Sequence, residues 1–165
     1  MLPSAEPNPI GRTIGRTHKF VRAWADRELA DLGSSVTEWI VLFHIADAPD
    51  PGASQTEIAR YSDIGGPALV RHIDRLEAYG IVVRTRDVTD RRIIRLSLTR
   101  KGHARLDAVR EVMARCDDQL RALLSAQEER VLTRALDKLF GFCLGEVTGL
   151  AAAPSADSQQ RRRTS

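Results

Sequence analysis

The sequence predicts a mainly α-helical chain with one small β-hairpin, and three observations carry that expectation. Ile81 to Thr99, IVVRTRDVTDRRIIRLSLT, sets two β-rich runs (Ile81 to Arg86 and Ile93 to Leu98) around a polar link, Asp87 to Arg92, that holds turn formers and two adjacent arginines. Just upstream, Ser54 to Gly80 carries the caps and apolar spacing of two short helices joined by a tight turn. Longer helical periodicities flank this block on both sides. Helix, turn, helix and hairpin in this order make a winged helix-turn-helix, here with N- and C-terminal helices suited to dimerisation.

From about Ile10 to Leu32, the apolar residues Ile14, Val21, Ala25 and Leu29 form the stripe of a first helix. Ser54 with Glu57 three residues on is a capping box, so a short helix starts there and turns Ile58 and Ala59 inward before Tyr61 to Asp63 breaks the pattern. Gly65 and Gly66 suit a turn, Pro67 suits the first turn of the next helix, and Leu69, Ile73 and Leu76 recur at spacings of four and three. The opposite side of this helix collects Gly66, Ala68, Arg71, His72 and Arg75. Small residues at its start and cations one and two turns on are what a helix needs to enter a major groove by its N-terminal half. Ser54, Gln55 and Thr56 begin the preceding helix, where N–H groups and short polar side chains can hold phosphate, while Ala68 and Arg71, with Gly66 and Pro67 alongside, face bases.

Gly80 leads into the hairpin, whose tip presents Arg91 and Arg92 and whose arms carry Arg84, Arg86 and Arg95, a projection suited to phosphates or a minor groove. After Thr99, Leu106, Val109, Met113, Cys116, Leu120 and Leu123 alternate three and four along one long helix. A last helix opens with a Ser125/Glu128 capping box and sets Val131, Ala135, Leu139 and Phe142 on one side, with Leu132, Leu136 and Cys143 widening that face. Both flanking helices carry more apolar surface than one small lobe covers, which suits burial against a second copy and two recognition helices about one turn of DNA apart.

Composition sets consistent bounds. At 165 residues and 42% hydrophobic content, the chain can bury one ordinary core. Aromatics make up only 5%, so that core is built from Leu, Ile, Val and Ala, as in helical proteins that associate through amphipathic faces. The overall charge of +3 says little about nucleic acid, but its distribution says more: from Arg60 to Arg105, eleven Lys and Arg stand against five acids, a local +6 that leaves the rest at −3. No apolar run approaches the ~18 residues of a membrane span, and MLPSAEPNPI lacks a signal-peptide core, so a cytoplasmic protein without membrane attachment is expected. Cys116 and Cys143 sit in apolar helical registers and read as buried, reduced thiols. Residues 1–9, with three prolines, and 151–165, which lack periodicity, read as disordered, with Arg161 to Arg163 a solvated tail in preference to a nonspecific phosphate contact.

Enzyme readings find little support. Gly65-Gly66 lacks the third glycine and preceding strand of a phosphate loop, and His18, His44, His72 and His103 are dispersed without metal-ligand spacing. Neither a metal nor another cofactor is expected. A winged helix acting purely as a protein-interaction or dimerisation module remains an alternative, but it predicts a neutral recognition helix and an uncharged wing, against Arg71, Arg75, Arg91 and Arg92.

Asp87, Asp90, Arg91 and Arg92, followed by Leu98-Thr99-x-Lys101-Gly102, resemble the wing signature of the MarR family of bacterial transcription regulators. Leu32-Gly33 and Thr37-x-Trp39-x-x-Leu42 resemble the entry to that family's second helix, and Leu69-Val70-Arg71-x-x-Asp74-x-Leu76-Glu77 is similar to its SlyA-like branch. The resemblance spans about residues 12 to 147, with departures at Val88, where proline is common, and at Ser34-Ser35, in place of Leu-Thr. It implies one unit over 10–150, with a DNA-reading lobe at about 36–99 between dimerisation helices at about 10–32 and 100–147. It also implies a homodimeric, ligand-responsive regulator, a repressor by preference, on a pseudo-palindromic operator in double-stranded DNA.

In the resembled family a wing arginine enters the minor groove, oriented by a nearby aspartate; here that pair is Arg92 and Asp90, with Arg91 on the backbone. The SlyA-like branch binds small aromatic carboxylates, and the matching positions are Lys19, Arg22, Thr37, Phe43, Arg71 and His72, with Trp24 and Trp39 as further lining. The family's redox-responsive members carry a reactive thiol near the first helix, where neither cysteine of this chain lies.

Overall fold

A computed structural model describes residues 9–61 and 64–148, and the chain divides into two compact units, one ending at Asp117 and the other beginning at Asp118. The remaining residues, including the 1–8 and 151–165 tails and the Ser62-Asp63 break, lie outside that description. Pro9, expected in a disordered end, instead accepts the N–H groups of Arg12 and Thr13 and so starts the first helix, α1 (Ile10–Glu28). The first helix was expected to run to about residue 32; α1 stops at Glu28, and a 3-10 turn at Ala30–Leu32 ends on Gly33, whose φ of 58° is left-handed. Asp26 then accepts the N–H of Val36 at 2.7 Å, and Ser35 caps α2 (Val36–Asp47) by accepting from the Glu38 N–H.

α3 (Gln55–Tyr61) and α4 (Gly66–Ala78) are the helix-turn-helix. The capping box forms as the spacing predicts: the Ser54 N–H donates to Glu57 at 2.6 Å, and the Glu57 N–H donates to the Ser54 hydroxyl at 3.2 Å. On α4, Leu69, Ile73 and Leu76 are buried, with Pro67 in the first turn. The hairpin strands are β2 (Val82–Arg86) and β3 (Ile94–Leu98), antiparallel and in register from Val82 opposite Leu98 to Arg86 opposite Ile94. A strand that the sequence does not reveal, β1 (Ala53–Ser54), pairs with the other side of β3, Ala53 opposite Leu96, to complete a sheet of order β1-β3-β2.

Val41, Leu42 and Ile45 from α2, Ile58 from α3, the three α4 residues, Ile81, Val82 and Leu96 form one core, sealed by Leu106 from α5 (Arg100–Arg121). A second cluster joins Ala25 and Leu29 of α1 to Val36 and to Val109, Val112 and Cys116 of α5. Each fully buried Leu, Ile or Val here is worth ~1.5–3 kcal/mol of transfer free energy, so this aliphatic core anchors the winged helix-turn-helix to α1 and α5. Val112, not Met113, fills the buried position on α5.

α6 (Ala126–Thr148) opens on the expected reciprocal cap, with the Ser125 N–H donating to Glu128 at 2.8 Å. None of its described side chains is buried within the chain, and Val131, Leu132, Leu136, Phe140, Phe142 and Val147 are exposed. Cys116 is buried, as expected, but Cys143 is exposed: the apolar register that suggested burial lies on this uncovered face.

Thr99 clamps the end of the hairpin to the start of α5, its hydroxyl donating to the Gly80 carbonyl at 2.7 Å and accepting the Gly102 N–H at 3.0 Å. A Cβ at Gly102 would collide with the Ile81 carbonyl oxygen, a backbone atom that cannot swing aside. Gly102→Ala is therefore expected to destabilise the fold by ~1–3 kcal/mol, read as a lower denaturant midpoint; wild-type stability in this variant would contradict the close approach of α5 to the hairpin.

Candidate nucleic-acid interface

The exposed side of α4 begins with Gly66 and Pro67 and continues through half-buried Ala68 to exposed Arg71. Arg75 turns part of its charge inward: it donates to Nδ1 of His72 at 3.2 Å and lies 3.9 Å from the carboxylate of buried Glu38. Burial lowers the His72 pKa, the charges of Arg75 and Arg71 lower it further, and Glu38 offsets only part of this, so the ring is neutral at neutral pH and able to accept from Arg75. Gln55 and Thr56 open α3 behind the capping box, Gln55 half-buried and Thr56 exposed. Glu57 is held below the usual carboxylate range by the Ser54 N–H and hydroxyl and by Arg95.

The wing turn is built around Asp87. Its carboxylate accepts from the Thr89 hydroxyl at 2.6 Å, the Thr89 N–H at 2.8 Å, the Asp90 N–H at 3.1 Å and Nε of Arg95 at 2.7 Å, while only 4% of the residue remains exposed. The Thr89 hydroxyl, the Arg95 guanidinium and the two N–H groups, in that order, hold its carboxyl well below the usual range. Asp90 accepts the backbone N–H of Arg92 at 3.0 Å, so the aspartate expected to orient Arg92 fixes the main chain from which the side chain projects. Arg86, Arg91 and Arg92 are exposed. Arg84 is not aimed outward: its guanidinium bonds Glu77 and, at 2.5 Å, Asp74, which brace β2 against α4.

Of the residues expected in an effector cleft, Arg22 and Thr37 meet, the guanidinium donating to the hydroxyl at 2.6 Å to link α1 with α2. Lys19 is exposed, its ammonium 5.9 Å from the Phe20 ring. Trp24 and Trp39 are half-buried against the α1–α5 cluster, and Phe43 lies with its ring centre 6.1 Å from Trp39 and 5.8 Å from His44. A separate recess of about 650 Å³ opens beside Arg95 and is lined by Asp47, Asp50 and Glu57 as well as His44 and two prolines. Its carboxylates do not suit an aromatic anion. No group of three or more His, Cys, Asp and Glu among the described residues is placed to hold a metal ion. No described helix is long and apolar enough to cross a membrane.

Sequence reasoning missed two organising charges. Glu38, 3% exposed, accepts from Nε of Arg105 on α5 at 2.7 Å, and Arg105 also donates to the carbonyls of Leu32 and Gly33 at 2.6 and 3.0 Å. Arg95, read only as a cation on a hairpin arm, bonds Asp87, Glu57 and the Gly52 carbonyl. An acid inside the apolar run EWIVLF is the one signal that marks Glu38.

A sequence model of the MarR family matches residues 32–93. Among solved structures, the transcriptional repressor CouR bound to a DNA duplex is 34% identical, with a TM-score of 0.71 over 79% of this chain and 91% of that one. The Mycobacterium tuberculosis MarR family protein Rv2887 in complex with salicylic acid is 28% identical, with a TM-score of 0.67 over 82% of this chain and 99% of that one. A cysteine-to-serine mutant of Escherichia coli MarR with operator DNA is 25% identical, with a TM-score of 0.71 over 79% and 93%.

The depressed pKa of Asp87 fixes how its contribution depends on pH. The stabilisation it brings is full above the unfolded carboxylate value, declines progressively as pH falls below that value, and is gone once pH has fallen through the lower folded value. The Asp87 carboxyl carbon, followed by NMR from neutral pH downward, is expected to show no inflection near the ordinary value of ~4; a midpoint there would contradict the turn geometry.

Proposed function

This chain belongs to the MarR family, and we propose that it follows the SlyA-like branch as a cytoplasmic, homodimeric repressor released from its operator by a small aromatic anion. It is a DNA-binding transcriptional regulator. One observation carries the details: the exposed start of α4 with Arg71 and the wing tip with Arg91 and Arg92 belong to one braced lobe, tied together by Arg84 on Asp74 and Glu77. Arg71, beside Gly66, Pro67 and Ala68, reads a base edge in the major groove; Arg92 enters the minor groove, and Arg86, Arg91, Arg75, Ser54, Gln55 and Thr56 take phosphates. Arg84 serves as the brace rather than as a phosphate contact. The solved DNA complexes of CouR and of the Escherichia coli MarR mutant support this reading.

The uncovered apolar face of α6 is buried by a second copy, which supplies the second recognition helix a palindrome requires. The salicylic acid complex of Rv2887 supports an aromatic carboxylate as effector, held by Lys19, Arg22, Thr37, Phe43, Arg71 and His72, with Trp24 as a wall. Arg71 belongs to both sets, so an occupied cleft competes with base reading, with coupling of ~1–3 kcal/mol.

Fluorescence anisotropy on a duplex selected by the wild-type protein from a randomised pool tests the reading. Arg92→Ala is expected to weaken binding by ~1–3 kcal/mol with the dimer intact, and Arg71→Ala to weaken it and relax preference at one base pair. Unchanged affinity in both variants would sink the interface. Millimolar salicylate is expected to release the duplex; release by peroxide alone, lost in Cys116→Ser or Cys143→Ser, would favour a redox switch instead.

A further inference from the structure

The wing tip and the start of α3 are joined by an unbroken chain of charge-assisted hydrogen bonds. The Arg92 N–H donates to Asp90 (3.0 Å), and the Asp90 N–H donates to Asp87 (3.1 Å). Asp87 accepts Nε of Arg95 (2.7 Å), a terminal nitrogen of Arg95 donates to Glu57 (3.2 Å), and Glu57 accepts the Ser54 N–H (2.6 Å). Arg95 is the middle of this chain and its only long-range member, spanning 8 residues to Asp87 and 38 to Glu57. Its side chain is 17% exposed and its guanidinium also holds the Gly52 carbonyl, so it is poorly placed to contact phosphate itself. A planar fork with fixed donor directions transmits orientation in a way a single ammonium cannot.

We infer that Arg95 is a positioning residue for DNA reading: it locks the wing turn to the capping box of α3, so that Arg92 and the helix-turn-helix meet the duplex as one rigid body. The inference rests on the DNA-reading function proposed above. Without Arg95 the wing keeps its strands but not its aim, and Arg92 reaches the groove only after ordering that the native protein has already completed.

A double-mutant comparison on the selected duplex tests this, with thermal unfolding of every variant alongside. In the wild-type background, Arg92→Ala is expected to lower affinity about five- to a hundredfold. In an Arg95→Gln background the same change is expected to cost about threefold or less, because the arginine is no longer aimed; the difference is the coupling between the two sites. Arg95→Lys, able to reach one carboxylate but not both in fork geometry, is expected to restore only part of the Arg92 effect. Should Arg95→Gln fail to fold, Glu57→Gln carries the same comparison, since an amide oxygen still caps Ser54 while the ion pair is lost.

An undiminished Arg92→Ala penalty in the uncoupled background would overturn the inference while leaving the DNA-reading function standing. Loss of the penalty already in the wild-type background would overturn both the wing assignment and the inference. Absence of any selected duplex would overturn the function and everything built on it.

Discussion

The pairing of Glu38 with Arg105 is the interaction on which the rest of the molecule leans. A carboxylate with 3% exposure in an apolar helix is tolerable only with a partner, and removing one member of such a buried pair costs ~3–5 kcal/mol. Arg105 keeps 22% of its side chain exposed, which moderates that cost, but its remaining donors close the carbonyls of Leu32 and Gly33. One guanidinium therefore ties α5 to the turn between α1 and α2, and Glu38 passes the tie on toward Arg75 on α4. The recognition helix is registered against the flanking helices by charge as well as by the aliphatic core.

The same use of carboxylates explains the charge pattern of the lobe. Four of its described acids are drawn to two of its arginines. Asp74 and Glu77 hold Arg84, while Asp87 and Glu57 hold Arg95, so these four acids are committed to the arginines that brace the wing. Arg71, Arg86, Arg91 and Arg92 are left facing solvent. A modest net charge thus becomes a concentrated one where phosphate would approach.

Much of this was legible in the residues. Local signals carried the capping boxes at Ser54 and Ser125, the buried spacing of Leu69, Ile73 and Leu76, and the two strands of the hairpin, because each depends on neighbours three or four positions away or on one β-rich run either side of a turn. What stayed hidden depends on distance along the chain. β1 is two residues long and exists only because Leu96 and Arg95 lie beside it. The Glu38–Arg105 bond spans 67 residues, and the division of arginines into braces and outward cations follows from which carboxylate the fold brings near. Cys143 was misplaced because an apolar helical register shows which face seeks cover, not whether the same chain supplies it.

The Gly102 contact gives α5 a mechanical character. With no Cβ between its first turn and the Ile81 carbonyl, and with Thr99 bonded to both, the helix leaves the hairpin in direct backbone contact with it. Its 22 residues make a rod of about 33 Å. A tilt of only about 6° about the far end would carry the near end through about 3.4 Å, one base-pair step along B-DNA. Joined this closely to the hairpin, the lobe would travel with the rod, and a small angular change would alter which groove positions the protein can reach.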